Sequence, residues 1–459
     1  MLLIFPIAYI VSFIISLWGV YKKRGEDLFV FVIIGLPIYN SSLSIAYSYH
    51  LKDWIPLLQS FKELLVLFAL ATLIWNYKKK ISFHTLDYWM LGFLMYTSIY
   101  VILPLGHYSV IEKLVAIKSL SFFTMIYFTG RCIDPDKINI KNIFYSVGIL
   151  TIAAALLLIV EVLTYTHFQS ISGFTAFNTE FFGLDSGGNY NLGWTFEREN
   201  GFKRFASFFA NPLEFSTSML VTVSMVLSMY TKKNNALKPN KFGWIVMAAT
   251  FISVIMALSR ASLISYTLLL YCYALLTKRK EIQYFIYLML LLALAYLLYL
   301  MKDSNIYDYI ISVIQLNDSS SIGHILEWVE GVESIITHPL GIGLGESGKV
   351  AAALQNNVGG ENQLIIVGVQ TGIISLVIYI TIYVMIIKNA IQWYPIVFGK
   401  LKTLTLTLVL MKIAFIFPML TSNFDSNSYI SFLMWLLTGI WISMIQKEIE
   451  IKNVAPEIL

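Results

Sequence analysis

Between Lys241 and Lys278 the chain reads FGWIVMAATFISVIMALSRASLISYTLLLYCYALLT (residues 242–277), with Lys232, Lys233, Lys238 and Lys241 before it and Lys278, Arg279 and Lys280 after it. Short loops rich in Lys and Arg stay on the cytoplasmic side of a bilayer. Both ends of this stretch are therefore inside, and the chain crosses an even number of times between them. Two helices of about 17 residues, turning at Ser259-Arg260, satisfy both length and sidedness. Arg260 is then expected at the outer tip of a tight hairpin. A guanidinium facing lipid there costs ~2.5–3.5 kcal/mol on insertion scales, so the tip is expected to face protein or water.

The same reasoning extends along the chain. Of 32 Lys and Arg, 21 fall in alternate gaps between apolar stretches: 22–24, 78–80, Arg131 with Lys137 and Lys141, 232–241, 278–280, Lys388 with Lys400 and Lys402, and Lys447 with Lys452. About thirteen apolar runs separate them, near 2–21, 28–47, 57–77, 87–106, 111–130, 142–163, 206–230, 242–258, 261–277, 281–300, 363–387, 402–420 and 429–445. Runs such as Ala153-Ala-Ala-Leu-Leu-Leu-Ile-Val160 do not alternate as a membrane β-strand would. The composition agrees: 58% hydrophobic against 13% charged, with a mean hydropathy of +0.72. The expected fold is an all-α polytopic bundle of 12–13 spans.

Five regions follow: N-terminal transmembrane helices (1–163), a first long outer loop (164–205), central helices (206–300), a second long outer loop (301–362) and C-terminal helices (363–459). The first segment has no basic residues before its apolar run and no small-residue cleavage site, so it reads as a retained span that starts outside. Loops as long as 164–205 and 303–362 are usually functional. In the second, Ile322, Ile325, Leu326, Val329, Val332 and Ile336 describe one helical stripe opposite Glu327, Glu330 and Glu333. That predicts an amphipathic helix on the outer surface. Cys132 and Cys272 imply no disulfide framework. The net charge of +5 resides in loops that suit an anionic leaflet, so nucleic acid is not an expected partner. No internal repeat is evident.

Four motifs between residues 200 and 375 resemble the O-antigen polymerase and O-antigen ligase superfamily of bacterial envelope glycan enzymes. They are Arg204-Phe-Ala-Ser-Phe-Phe-Ala-Asn211-Pro212, Leu258-Ser259-Arg260, His338-Pro339-Leu340-Gly341-Ile-Gly343-Leu-Gly345, and Glu361-Asn362 followed after nine residues by Gly372. Where ligases carry a histidine this chain has Glu361, and Ser375 stands where Gly, Thr or Tyr is usual. The glutamate favours polymerase over ligase. The resemblance implies an inner-membrane glycosyltransferase that joins undecaprenyl-diphosphate-linked oligosaccharides at the outer face, without metal or cofactor. Implied partners are that lipid-linked oligosaccharide, membrane lipid and a chain-length regulator. The alternatives are transfer to a lipid A core by a ligase and, in another class, a flippase of the same lipid-linked glycan.

The chemistry of the residues runs parallel. Arginine matches phosphate oxygens bidentately and stays charged, so Arg204 and Arg260 suit a departing diphosphate. Glu361 suits the general base that takes the acceptor hydroxyl proton, and a carboxylate acting by single displacement inverts the anomeric carbon. Asn211, Asn362, His338, Lys412 and Asp425 are candidate substrate-binding groups. Lys113 and Lys118 could extend a basic path, and Trp194 could stack on a sugar. Each also has a structural reading: Arg204 as an interfacial anchor, Glu361 as a cap on the helix entering at Gln363, Lys412 as the partner of a buried acid, and His338 and His324 as loop residues. Asp134-Pro-Asp136 has an acid-x-acid form but lies in an inner loop. Gly341–Gly345 follows a surface helix rather than a strand, so a dinucleotide site is not expected.

Overall fold

The computed structural model describes residues 2–76, 82–183, 186–198, 201–302, 307, 311, 315, 319–353 and 357–454. The Lys78–Lys80 cluster used in the charge argument lies outside these residues, as does the side chain of Lys452.

The apolar runs of the sequence fold as helices. Among the described residues, eight helices are long and apolar enough to cross a membrane: Ile4–Tyr21, Lys52–Trp75, Ile140–Thr164, Pro212–Tyr230, Lys280–Leu300, Gln363–Trp393, Gly399–Leu420 and Ser428–Ile451. A ninth span arises if Gly25–Gly35 and Tyr39–Ser48, bent by 60°, are taken together. The protein is thus a multi-pass helical membrane protein. The remaining runs form helices that are shorter or more charged. Thr85–Ile99, Lys241–Met256 and Arg260–Leu276 have 15, 16 and 17 residues. Val110–Cys132 is longer but carries Glu112, Lys113, Lys118 and Arg131.

Local chemistry sets many of the boundaries. The 242–277 stretch is a helical hairpin, broken where Leu258 adopts a left-handed φ of 48° and Ser259 caps the second helix by accepting from Ser262 N. Asn211 caps the Pro212 helix, with proline at its first position, where a missing N–H costs nothing. Ser109 and Glu112 form a reciprocal capping box on the Val110 helix.

Helix packing follows burial. The Pro212 and Ser428 helices form the centre, enclosed by the others, whereas the Lys280 helix is almost wholly exposed and apolar, as a lipid-facing helix is. Lipid is as apolar as leucine, so helix association depends on close backbone approach. The Val110 and Ser428 helices achieve it through glycines: a Cβ on Gly130 would lie 2.3 Å from Leu436 O, and one on Gly439 2.2 Å from Tyr127 O. At the same end, Arg131 donates through Nε and Nη2 to the two Asp87 carboxylate oxygens, both at 2.9 Å. Tyr127, Ser443 and Gln446 complete this buried network, leaving neither charge unsatisfied.

The long Gln363–Trp393 helix is broken at Thr371 and Gly372, where Gly372 has φ 79°. The freed backbone groups are met by the glycine segment of the second loop. Ile342 N donates to Val369 O, Gly343 N to Gln370 O, and Ile373 N to Pro339 O. Gly341 and Gly343 both adopt positive φ, and a Cβ on either would strike backbone atoms at 2.6–2.8 Å. Non-helical backbone inside a membrane protein is tolerated where protein covers it. The Gly-x-Gly-x-Gly pattern thus serves a close backbone approach here.

Candidate functional site

A cavity of about 600 Å³ opens at one end of the bundle. It is lined by Lys62 and Glu63, Lys118, Asn211 and Glu214, Lys349 and Asp425, with Trp194 and a wall of phenylalanines that includes Phe122, Phe123 and Phe432. Sequence position places it opposite the basic loops. Lys62 lies 16 residues before Lys78, Lys118 lies 13 residues before Arg131, and Glu214 is at the far end of a helix from Lys232. Both long loops reach the cavity: the first through Phe174, Phe182 and Trp194–Phe196, the second through Lys349.

The charges are arranged in pairs. Glu63 receives Lys118 at 3.1 Å and Lys62 at 3.7 Å, while the Lys62 ammonium also lies 3.9 Å over the Tyr39 ring. Glu214 is within electrostatic reach of both Lys349 and Lys62. Burial pulls the Lys349 ammonium below its ordinary range, which Lys62 reinforces and Glu214 opposes. Also on the lining, Asp425 Oδ2 accepts from Tyr379 Oη at 2.7 Å, and its backbone N–H donates to Gln363 Oε1. Burial raises the Asp425 carboxyl; Tyr379 and Lys412 act against that rise.

The expected site residues separate into groups. Arg204 and Arg260 do come together, joined by Arg198 around the hairpin tip. Arg204 Nε donates to Ala257 O at 3.1 Å, Arg198 donates to Leu258 O, and the charges of Arg198 and Arg260 both act on Arg204. Burial, then these two neighbours, lower Arg204 to about 9. The cluster stands behind the cavity wall, because Arg204 N donates to the carbonyl of cavity-lining Phe196 at 2.9 Å.

Glu361 does not line the cavity. Its carboxylate pairs with His324 Nδ1 at 2.6 Å, and its N–H donates to Glu327 on the Ser319–Thr337 helix. Burial, then the Glu361 charge, raise the Glu327 carboxyl. Glu361 does not cap the following helix; Asn362 does, accepting from Leu364 N and Ile365 N. His338 is exposed beside Thr337. Asn211 lines the cavity while capping its helix, and Lys113 donates to Leu103 O as a structural tie.

Lys412 follows its structural reading. It is fully buried, sits 3.6 Å from the Trp435 ring and 4.2 Å from Tyr383, and interacts with Asp425 from behind the cavity. Sequence reasoning missed Lys62, Glu63, Glu214 and Lys349. The first three had a signal, since ionisable residues inside apolar runs mark functional sites by default. Lys349, in a long loop, had none.

No protein-family model matches the chain, and neither does any curated protein.

Proposed function

We propose that the protein polymerises undecaprenyl-diphosphate-linked oligosaccharide repeats at the non-cytoplasmic face of a bacterial inner membrane. The cavity carries this reading. Its phenylalanine wall suits a polyprenyl chain, its ammonium groups a phosphate, and its amides, hydroxyls and Trp194 a sugar. It lies at the end away from the basic loops, which the charge rule puts outside. In this topology the Thr85, Val110, Lys241 and Arg260 helices cross as well, giving twelve or thirteen spans. The Ser319–Thr337 helix lies on the outer surface with Leu326, Val329 and Ile336, which are exposed, against lipid.

The reaction is a single displacement. The acceptor hydroxyl oxygen bonds to the anomeric carbon of the donor glycan as the bond from that carbon to the diphosphate oxygen breaks. The hydroxyl proton passes to a carboxylate, and the lipid diphosphate leaves with the bonding pair, inverting the anomeric centre. We assign the base to Glu214, which lines the cavity, over Glu361, whose carboxylate is paired with His324. From behind the Phe196 wall, Arg204, Arg260 and Arg198 add a positive field that favours the leaving diphosphate.

The test is purified protein in detergent with a lipid-linked oligosaccharide as both donor and acceptor. Lengthened lipid-linked glycan is the expected product. Transfer that occurs only when lipid A core is supplied makes the protein a ligase. Movement of the lipid-linked glycan across vesicles without lengthening makes it a transporter.

A further inference from the structure

Three lysines converge on the cavity from three separate elements: Lys62 from the Ile55–Asn76 helix, Lys118 from the Val110 helix and Lys349 from the short Lys349–Ala353 helix of the second loop. They are not equivalent. Lys62 and Lys118 share Glu63. Lys349 faces the cavity with its side chain exposed to it, and donates no hydrogen bond among the described residues. Its neighbour Glu214 is near enough to interact electrostatically without accepting from it.

An ammonium carries three N–H donors. At Lys349 no described protein group accepts from them, so they are open to an acceptor that enters the cavity. The local charge count points to the kind of acceptor. Lys62, Lys118 and Lys349 balance Glu63, Glu214 and Asp425 along the lining (3 − 3), and Lys412 behind Asp425 leaves an excess of one positive charge (4 − 3). A neutral sugar meets the donors without using the charge, whereas an anion uses both. A phosphate ester meets both requirements, and lysine binds phosphate as a compact point charge. The adjoining Phe122, Phe123 and Phe432 give the same anion an apolar neighbour.

We propose that Lys349, with Lys62 and Lys118, forms a phosphate-binding subsite in the cavity, separate from the arginine cluster behind the Phe196 wall. Its ligand is a phosphate or diphosphate ester. In the role it would play, which rests on the glycan-transfer reading, this subsite lies beside Glu214 and holds the diphosphate at the reacting centre.

The experiment titrates the full chain in detergent with three probes: undecaprenyl diphosphate, inorganic diphosphate and phosphatidylglycerol. Binding is read by native mass spectrometry and by calorimetry, and the variants are K349Q, K349R and R204Q. The expected result is that K349Q weakens undecaprenyl diphosphate binding by roughly tenfold or more, the loss of one charged hydrogen-bonding group. K349R should retain most of the affinity, and R204Q should leave a Lys349-dependent component in place. Equal Lys349-dependent binding of inorganic diphosphate identifies a free anion as sufficient, and competition by phosphatidylglycerol identifies a bilayer headgroup.

Wild-type binding of every probe by K349Q overturns the proposal, as does failure of all three probes to bind. A K349Q chain with a lowered melting temperature but undiminished binding assigns Lys349 to neutralising Glu214 alone, which also overturns it. If Lys349-dependent binding is found but no glycan is lengthened, the subsite stands and the transfer reading falls.

Discussion

The Lys412 ammonium lies 3.6 Å from the centre of the Trp435 ring, in a fully buried position where it makes no hydrogen bond among the described residues. Its opposite charge is Asp425, which the same indole approaches through Nε1 at 3.5 Å. Removing one member of a buried charge pair typically costs ~3–5 kcal/mol, because the other is left uncompensated. Lys412→Met is therefore expected to lower the melting temperature of the detergent-solubilised protein sharply. Adding Asp425→Asn should recover part of that loss. A double variant no better than the sum of the two single ones would show that the charges do not act on each other.

Gly439 and Gly92 make opposite predictions from one residue type. Gly439→Val places its Cβ against Tyr127 O and the Arg131 backbone and is expected to push the Val110 and Ser428 helices apart. The yield of folded, monodisperse protein should collapse. A methyl group added at Gly92 would meet nothing within 4 Å, and the residue lies inside the Thr85–Ile99 helix. Gly92→Ala should be neutral or stabilising by up to ~1 kcal/mol. Thermal melting in detergent separates the two outcomes.

Glu214 and Glu361 divide the proposed base chemistry. Removing a general base costs ~10²–10⁴-fold in rate. Glu214→Gln is expected to lose that much glycan-lengthening activity with little change in folding, and Glu361→Gln to keep most of it. The reverse pattern would return the base to Glu361 and move the reaction to the His324 surface.

His167 provides a pH dependence. It is buried among the rings of Tyr190, Phe196 and Phe205, and burial followed by the nearby Lys203 lowers it to about 4. Unfolded, it titrates near ~6.5. Between these values the unfolded chain binds the extra proton, so His167's contribution is intact above about 6.5 and is lost as the pH falls toward 4. Melting temperatures across this window should decline in the wild type and decline less in His167→Phe. Equal slopes would exclude the histidine as the cause.

What was legible in the sequence is what depends on near neighbours along the chain. Hydrophobicity and the spacing of charge set the helices. The 242–277 hairpin formed where its even crossing number demanded, because the break at Leu258-Ser259 and the serine cap are local chemistry. The arginines came together for the same reason: Arg260 is at that tip, and the segment leading to Asn211 pairs with it through Phe205 N and Met256 O. The surroundings of Glu361 were not legible, because shared sidedness constrains only depth. Where it lies around the bundle depends on the Ser319–Thr337 helix, which docks by Gly331 against Ile365 and brings His324 and Glu327 to it.

By itself, then, the sequence determined a multi-pass helical protein, the alternation of charge between its loops and the caps that begin its helices, since each of these arises within a few residues. Only tertiary packing decided that Lys62, Lys118, Glu214 and Lys349 share one cavity, that Lys412 stands behind Asp425 and not in contact with that space, and that a glycine segment fills a broken helix. Those outcomes depend on how closely backbones from distant parts of the chain approach one another. Such approach is set by small residues and interhelical contacts that no local pattern encodes.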